Sequence, residues 1–271
     1  MDGAPRRPVA RERVAVSGLL DDRTALVMGV ANRWSIAWAA ARAFSREGAR
    51  IVFTFQGARQ EKDVRALAAP LPGSIVLPCD VTLDADLASL AASIREQVGG
   101  IDAVLHSIAF AQREELGGAF VDTSRAGFAV ALDVSAFSLV AVARSLLPVL
   151  NPEASLTTLT YIGSTRVMPS YNVMGVAKAA LESSVRYLAS DLGPKGVRVN
   201  AISAGPIKTA SARAVQGFSR ILEVMEQRAP LRRNTDPDEV ADAAVFLASR
   251  LSRGITGEVL FVDAGFHATG L

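Results

Sequence analysis

The sequence predicts one α/β domain built on a doubly wound parallel sheet of about seven strands, with helices on both faces. Short runs of β-branched and other apolar residues alternate with longer amphipathic stretches along the chain. No Pro-, Gly- or Ser-rich linker divides the 271 residues, of which 50% are hydrophobic. We therefore expect a single domain over 17–271, preceded at 1–16 by a disordered tail or an over-extended start.

The first elements form a strand–helix–strand unit. An apolar run at 26–28 precedes an Ala-rich amphipathic stretch at 35–47, and β-branched and aromatic residues follow at 51–55. The later predicted strands are 74–77, 103–105, 156–161, 197–202 and 259–262. The later predicted helices are 84–98, roughly 124–150, 171–192 and 238–248. This order favours a parallel sheet, because each crossover helix returns the chain to the same edge.

Composition narrows the classes of function. The net charge is +2 and the 29 basic residues are spread along the chain, which does not suggest a nucleic-acid surface. Cys79 is the only cysteine and follows an apolar run, so we expect a buried, inert thiol and no metal site. No apolar stretch reaches the ~18 residues of a membrane span, and residues 1–16 lack the apolar core of a secretory signal. We expect a cytoplasmic protein without membrane insertion.

The turn after the first strand is a candidate phosphate site, because ligands of such sheets bind beyond the carboxyl ends of the strands. Gly29 follows the strand, and Ser35 and Ile36 open the helix six residues later. The Rossmann pattern G-x-G-x-x-G is absent, but a glycine allows a tight turn and a helix N-terminus binds pyrophosphate. We predict a Rossmann-like dinucleotide site here; plain capping by Ser35 is the alternative.

The next two turns would meet the adenosine. Gln56 follows the second strand and can hydrogen-bond ribose hydroxyls, whereas Arg59 could attract a 2′-phosphate or remain solvated. Asp80 and Val81 follow the third strand. Asp80 is predicted to accept a hydrogen bond from an adenine amino group, with helix capping as the alternative.

The turn after the fourth strand contains small residues. Ser107, Ile108 and Ala109 would let the backbone approach a nicotinamide ribose. His106 adjoins a core strand, and we predict a hydrogen-bonded core histidine here. The chain has two histidines, so it offers almost no material for a histidine-based triad or zinc site.

The segment after the fifth strand contains the candidate catalytic pair. Tyr171 and Lys178 are seven residues apart, which places them on one helix face. A nearby lysine lowers the pKa of a phenol and binds ribose hydroxyls, and the phenol donates to a developing oxyanion. Chance spacing is the alternative, but the position after a late strand of a dinucleotide-binding sheet favours catalysis.

The spacing resembles one branch of the short-chain dehydrogenases/reductases. Four and seventeen residues before Lys178, where ordinary members have tyrosine and serine, the chain has Met174 and Tyr161. Tyr171 instead lies one turn further out, as in the bacterial enoyl-[acyl-carrier-protein] reductases of the NADH type. The other segments that resemble this family are 29–37, 106–109, 203–209 and 255–265. The resemblance covers 17–271.

The resemblance implies hydride transfer from NADH, with NADPH less favoured, to a trans-2-enoyl chain on an acyl carrier protein, the final step of fatty-acid elongation. It implies Tyr171, Lys178 and Tyr161 as catalytic residues and a homotetramer. Further cofactor contacts are expected from Ile207 and Thr209. Expected substrate contacts are Ala111, Tyr161, Tyr171, Met174 and Phe218. A carbonyl or alcohol oxidoreductase and a non-catalytic dinucleotide sensor of the same fold are the alternatives.

Residues 209–228 are predicted to form a helical substrate lid. Apolar residues recur there at helical spacing, so some could cover an acyl chain and others could pack in the core. These residues are Ala214, Phe218, Ile221, Leu222 and Met225. Three basic residues lie in or beside the lid: Lys208, Arg213 and Arg220. They could form a docking patch for an acidic carrier protein, and a solvated helix face is the alternative.

Overall fold

The predicted sheet is confirmed. The computed structural model describes residues 18–209 and 217–269. Its seven strands are all parallel, in the order β3-β2-β1-β4-β5-β6-β7. They are β1 (Thr24–Met28), β2 (Arg50–Phe55), β3 (Ile75–Pro78), β4 (Ile101–His106), β5 (Leu150–Thr160), β6 (Arg198–Ala204) and β7 (Val259–Val262). The order reverses between β1 and β4, which opens a ligand crevice at that point.

The helices cover both faces of this sheet. They are α1 (Ile36–Arg46), α2 (Ala58–Ala68), α3 (Asp84–Val98), α4 (Arg125–Leu132), α5 (Ser138–Leu146), α6 (Asn172–Leu192), α7 (Phe218–Arg228) and α8 (Pro237–Ala248). A π-helical turn, Asp133–Phe137, joins α4 to α5. Of the predicted lid, α7 is observed. Ala214 and Arg213 lie outside the described residues, as does the predicted tail at 1–16.

Helix α2 is absent from the sequence prediction. Its sequence is mostly polar, and Val64 and Ala68 are its two buried residues. So narrow an apolar stripe gives a weak helical period. The helix shortens the turn after β2, and Arg59 becomes part of the first turn of α2 instead of a free loop.

Two apolar cores lie on opposite faces of the sheet. One contains buried residues of α1, α2 and α8, and the other contains those of α3, α5 and α6. Helix α1 packs closely on α8 because alanines dominate its buried face. Arg42 and Arg46 of α1 pair with Asp238 and Asp242 of α8, each at 2.8 Å. These contacts fix α1, and so its N-terminus, against the sheet.

The segment Arg125–Val149 corrects the expectation that no stretch has the length of a membrane span. It is long and apolar enough by length and composition, and half of it is buried. The prediction failed because Asp133 and Arg144 interrupt the apolar run without ending the helical segment. The buried half packs on α3 and α6, as core helices of folded domains do.

Candidate active site

The turn after β1 needs a glycine. Gly29 has φ +89°, and a Cβ at this position would overlap the carbonyl of Ser107 beyond β4. Ser35 caps α1, as its hydroxyl accepts from the backbone N–H of Trp38 at 3.3 Å and donates to the carbonyl of Asn32 at 2.7 Å. Capping and a phosphate site are compatible here, because a helix N-terminus keeps further backbone donors.

A cavity of about 660 Å³ crosses the carboxyl edge of the strands. It brings together eleven of the twelve residues predicted to contact the cofactor. They are Gly29, Ser35, Ile36, Gln56, Asp80, Val81, Ser107, Ile108, Ala109, Lys178 and Thr209. The remaining one, Ile207, lines a neighbouring cavity instead. The volume and the row of strand ends suit an extended dinucleotide.

Asp80 and Gln56 meet at one end of this first cavity. The amide Nε2 of Gln56 donates to Oδ2 of Asp80 at 2.7 Å, and Oδ1 accepts from the backbone and hydroxyl of Thr82. Desolvation raises the pKa of Asp80, but these hydrogen bonds outweigh it and the pKa is lowered. Asp80 does not cap α3, whose N-cap is Leu83. Arg59 is exposed and is not part of the lining.

A second, largely apolar cavity of about 340 Å³ adjoins the first. Its lining includes all five residues predicted to contact substrate: Ala111, Tyr161, Tyr171, Met174 and Phe218. Both cavities share Ile36, Ala109, Phe110 and Thr209, so a ligand in one abuts a ligand in the other. The rings of Tyr161 and Tyr171 meet edge to face at 5.1 Å. This wall combines apolar surface with two phenol donors.

Lys178 lines the first cavity and contacts the end of β5. Its side chain is buried, with the residue 6% exposed, and Nζ donates to the carbonyl of Leu159 at 2.8 Å. Burial lowers the pKa of Lys178 to about 8, while the nearby Glu182 carboxylate opposes that shift. The ammonium therefore titrates near neutral pH.

The expected lowering of the Tyr171 pKa is wrong. Burial raises that pKa, and Tyr161 and Glu182 raise it further. Burial also raises the pKa of Tyr161 to about 12, with Asp263 adding to the shift. A nearby lysine charge lowers the pKa of a phenol, but desolvation raises it and has the larger effect here. Both phenols thus keep their protons at neutral pH, which suits hydrogen-bond donation to an oxyanion.

His106 and Cys79 have the predicted structural character. His106 is 1% exposed and its two ring nitrogens bond to Thr158 and Ser138 at 3.0 and 2.9 Å. Burial, and to a lesser extent the Lys178 charge, lowers the pKa of His106 to about 3, so the ring is neutral. The Cys79 thiol is buried, and burial raises its pKa to about 12.

Sequence reasoning missed three residues of the site. Glu182 is buried beside Lys178 and accepts from the hydroxyl of Thr160 at 2.6 Å. Ser135, in the π-helical turn, donates to the carbonyl and accepts from the N–H of Phe110 at 3.0 and 2.9 Å, which fixes the wall between the cavities. Glu182 has a sequence signal, an acid one turn after Lys178 on an otherwise apolar helix face. The Ser135 and Phe110 contact has none.

Comparison with known proteins identifies the family. Residues 29–267 match the family of enoyl-(acyl carrier protein) reductases. The chain is 56% identical over 254 residues to the enoyl-[acyl-carrier-protein] reductase [NADH] FabI of Bacillus cereus, covering 93% of this chain and 99% of that protein. It is 54% identical over 252 residues to the enzyme of the same name from Bacillus subtilis, covering 92% and 98%.

A solved structure agrees. The Bacillus cereus enoyl-acyl carrier protein reductase with NADP⁺ and indole naphthyridinone superposes with a TM-score of 0.92 at 55% identity, covering 94% of this chain and all of that one. Sequence and structure lead to the same family. The chain belongs to the enoyl-(acyl carrier protein) reductases of the short-chain dehydrogenase/reductase superfamily.

Proposed function

We propose that this protein reduces the C2–C3 double bond of trans-2-enoyl thioesters with NADH, the final step of fatty-acid elongation. The observation that carries the proposal is the position of Tyr171. It is a partly buried phenol in an apolar cavity that adjoins the dinucleotide cavity, three residues before the position of the ordinary catalytic tyrosine.

The chain's residues fit a nicotinamide dinucleotide. The Gly29 turn approaches Ser107 with no side chain between them, and the N-terminus of α1 is free for phosphate oxygens. Asp80 and Gln56 are at the proposed adenosine end, and Lys178 lines the same cavity. Bound here, NADH supplies the hydride that adds to C3 of the enoyl chain.

Tyr171 stabilises the charge that develops on the substrate. In carbonyl reduction the charged oxygen is bonded to the carbon that accepts hydride, whereas in an enoyl thioester it is the thioester oxygen, several bonds away. Tyr171 is the N-cap of α6 and precedes Met174 by three residues, about 4.5 Å at the helical rise, which suits that displaced oxygen. Tyr171 donates to the enolate oxygen, and a solvent proton then adds to C2.

Lys178 and Tyr161 support this step in different ways. Lys178 binds the ribose hydroxyls of the nicotinamide nucleotide and contributes positive charge beside the enolate. Tyr161 lines the acyl cavity and packs its ring on Tyr171, which limits the orientations open to that phenol. Carbonyl reduction is disfavoured because Met174 and Tyr161 occupy the positions of the usual tyrosine and serine.

Product identification tests the proposed reaction. Crotonyl thioester and NADH should yield the saturated butyryl thioester, two mass units heavier than crotonyl, with one NADH oxidised for each molecule formed. A hydrated product, or no product with NADH oxidised, would contradict the proposal.

The cofactor preference should be for NADH. Gln56, expected at the ribose hydroxyls, carries no charge that could hold a 2′-phosphate, and its amide is hydrogen-bonded to the Asp80 carboxylate, whose pKa is lowered. Arg59 is exposed outside the cavity, so it is screened by salt. We expect a higher kcat/KM with NADH, and a ratio within about twofold of wild type in Arg59→Ala. An NADPH preference that vanished in Arg59→Ala would contradict this assignment.

An acidic acyl carrier protein is proposed to dock beside α7. Lys208 and Arg220 are exposed there, while Arg213 lies outside the described residues. The double variant Lys208→Glu/Arg220→Glu should lower kcat/KM for carrier-bound substrate by about tenfold at low salt, with a smaller loss at high salt. Activity on a short coenzyme A thioester should change much less. Equal losses on both substrates would refute docking at this surface.

We further propose that 17–271 form one domain with 209–228 as its lid, and that the protein is a cytoplasmic homotetramer. Phe218 and Ile221 of α7 line the acyl cavity, which supports the lid. Membership of the family supports the proposed tetramer and compartment. Light scattering of the purified protein tests the tetramer, and a predominant monomer or dimer would contradict it.

A further inference from the structure

The end of β5 holds two buried charged side chains of α6. Lys178 Nζ donates to the carbonyl of Leu159 at 2.8 Å, and the hydroxyl of the next residue, Thr160, donates to Oε1 of Glu182 at 2.6 Å. Lys178 and Glu182 are four residues apart, one turn of the same helix face. Two adjacent strand residues thus fix both members of the pair.

Glu182 is an unusual group to bury. It is 8% exposed, and among residues 18–209 and 217–269 its carboxylate has no ion pair within 4 Å and receives its hydrogen bond from Thr160. Ser203 is the register partner of Thr160, so its side chain projects from the same face of the sheet, and its hydroxyl is buried without a partner there. Burying a carboxylate is expensive unless a nearby charge or donor compensates.

We propose that Glu182, held by Thr160, is a positioning residue that keeps the Lys178 side chain charged and directed into the dinucleotide cavity. The proposed mechanism assigns Lys178 the binding of the nicotinamide ribose, and the inference rests on that assignment. It adds a residue with no contact to cofactor or substrate cavity, since Glu182 lines neither of the two described.

The electrostatics of the neighbourhood support this role. Burial brings the pKa of Lys178 to about 8, and Glu182 is the charged group that opposes the shift. In the part of the chain that the structure describes, the other titratable groups that face Lys178 or its neighbours carry no charge near neutral pH: His106 on β4, Tyr161 after β5 and Tyr171 at the N-cap of α6. Asp263, beyond β7, acts on Tyr161. Removal of the Glu182 charge therefore lowers the Lys178 pKa further.

The direct test is an NMR titration of Lys178 in the cofactor-free protein labelled with ¹³C at lysine Cε. The chain has only four lysines, Lys62, Lys178, Lys195 and Lys208, so loss of one signal in Lys178→Arg assigns the resonance. Glu182→Gln keeps an oxygen acceptor for Thr160 but removes the charge. We expect its Lys178 midpoint to fall by about half a pH unit or more.

Matched variants separate charge from structure. Asp191→Asn removes an exposed carboxylate from the same helix and should leave the Lys178 midpoint unchanged. Glu182→Asp retains the negative charge, so its Lys178 midpoint should lie close to that of wild type. Thr160→Val removes the donor that holds Glu182 and should give a smaller downward shift. This variant also carries the test if Glu182→Gln fails to fold.

NADH affinity supplies a second readout. In Glu182→Gln the NADH dissociation constant should stay close to that of wild type at pH 6. At pH 8.5 it should exceed the wild-type value by about two- to threefold for a shift of half a pH unit, because the ammonium is lost at a lower pH. An unchanged Lys178 midpoint in folded Glu182→Gln, or an equal loss of affinity at every pH, would overturn the proposal. Neither readout uses an enoyl substrate, so failure of the proposed reaction would be a separate result.

Discussion

Tyr171→Phe is expected to lower kcat for an enoyl thioester by about 10²- to 10³-fold, the range for removal of one oxyanion donor. The phenol lines the apolar cavity, and burial keeps it protonated, so its hydroxyl is available to donate when charge reaches the thioester oxygen. NADH affinity should stay within about twofold of wild type, because the phenol is not part of the first cavity's lining.

The matched control is Tyr187→Phe. Tyr187 is on α6, the helix that Tyr171 precedes as N-cap, and it is 74% exposed, so loss of its hydroxyl should leave turnover and affinity unchanged. Stopped-flow measurement of the hydride-transfer step, beside the NADH dissociation constant, separates chemistry from binding. Wild-type turnover in Tyr171→Phe would remove this residue from the mechanism.

Lys178→Ala is expected to weaken both cofactor binding and rate. A hydrogen bond to a charged group contributes about 1.5–3 kcal/mol, so the NADH dissociation constant should rise roughly 10- to 100-fold. The rate should fall as well, since positive charge beside the enolate is lost. Lys195→Ala, an exposed lysine after α6, is the control and should bind NADH normally. An unaltered dissociation constant in Lys178→Ala would contradict the ribose role.

The ribose role of Lys178 also predicts how NADH affinity changes with pH. The ammonium of Lys178 is the binding form, and its pKa is lowered to about 8. Affinity should therefore be full below that pH and decline as the pH rises through it. Arginine stays protonated throughout, so Lys178→Arg should remove this alkaline decline even if its overall affinity is lower.

Much of the fold was predictable because strands and helices alternate with strong local patterns. Helix α3 and strand β7 begin and end where the sequence predicts. Helix α2 was missed because its buried stripe is only Val64 and Ala68, which local periodicity barely registers. Helix–sheet packing, a tertiary effect, stabilises it.

The candidate site, like the fold, was predictable from the sequence only in part. Tyr171 and Lys178 were accessible through their seven-residue spacing, although the helix predicted from 171 begins at Asn172 and Tyr171 is its N-cap. The contact between Gln56 and Asp80 was not, because these residues follow different strands that only the sheet brings together. The phenol pKa was predicted with the wrong sign because burial depends on the whole fold and outweighs a single nearby charge.

NADH oxidation, followed at its near-ultraviolet band, distinguishes enoyl reduction from carbonyl reduction when crotonyl thioester and a simple ketone are measured side by side. We expect a kcat/KM for the enoyl thioester at least about 100-fold above that for the ketone, because the donor is positioned for the displaced oxygen. An equal or higher kcat/KM with the ketone would contradict the proposed function.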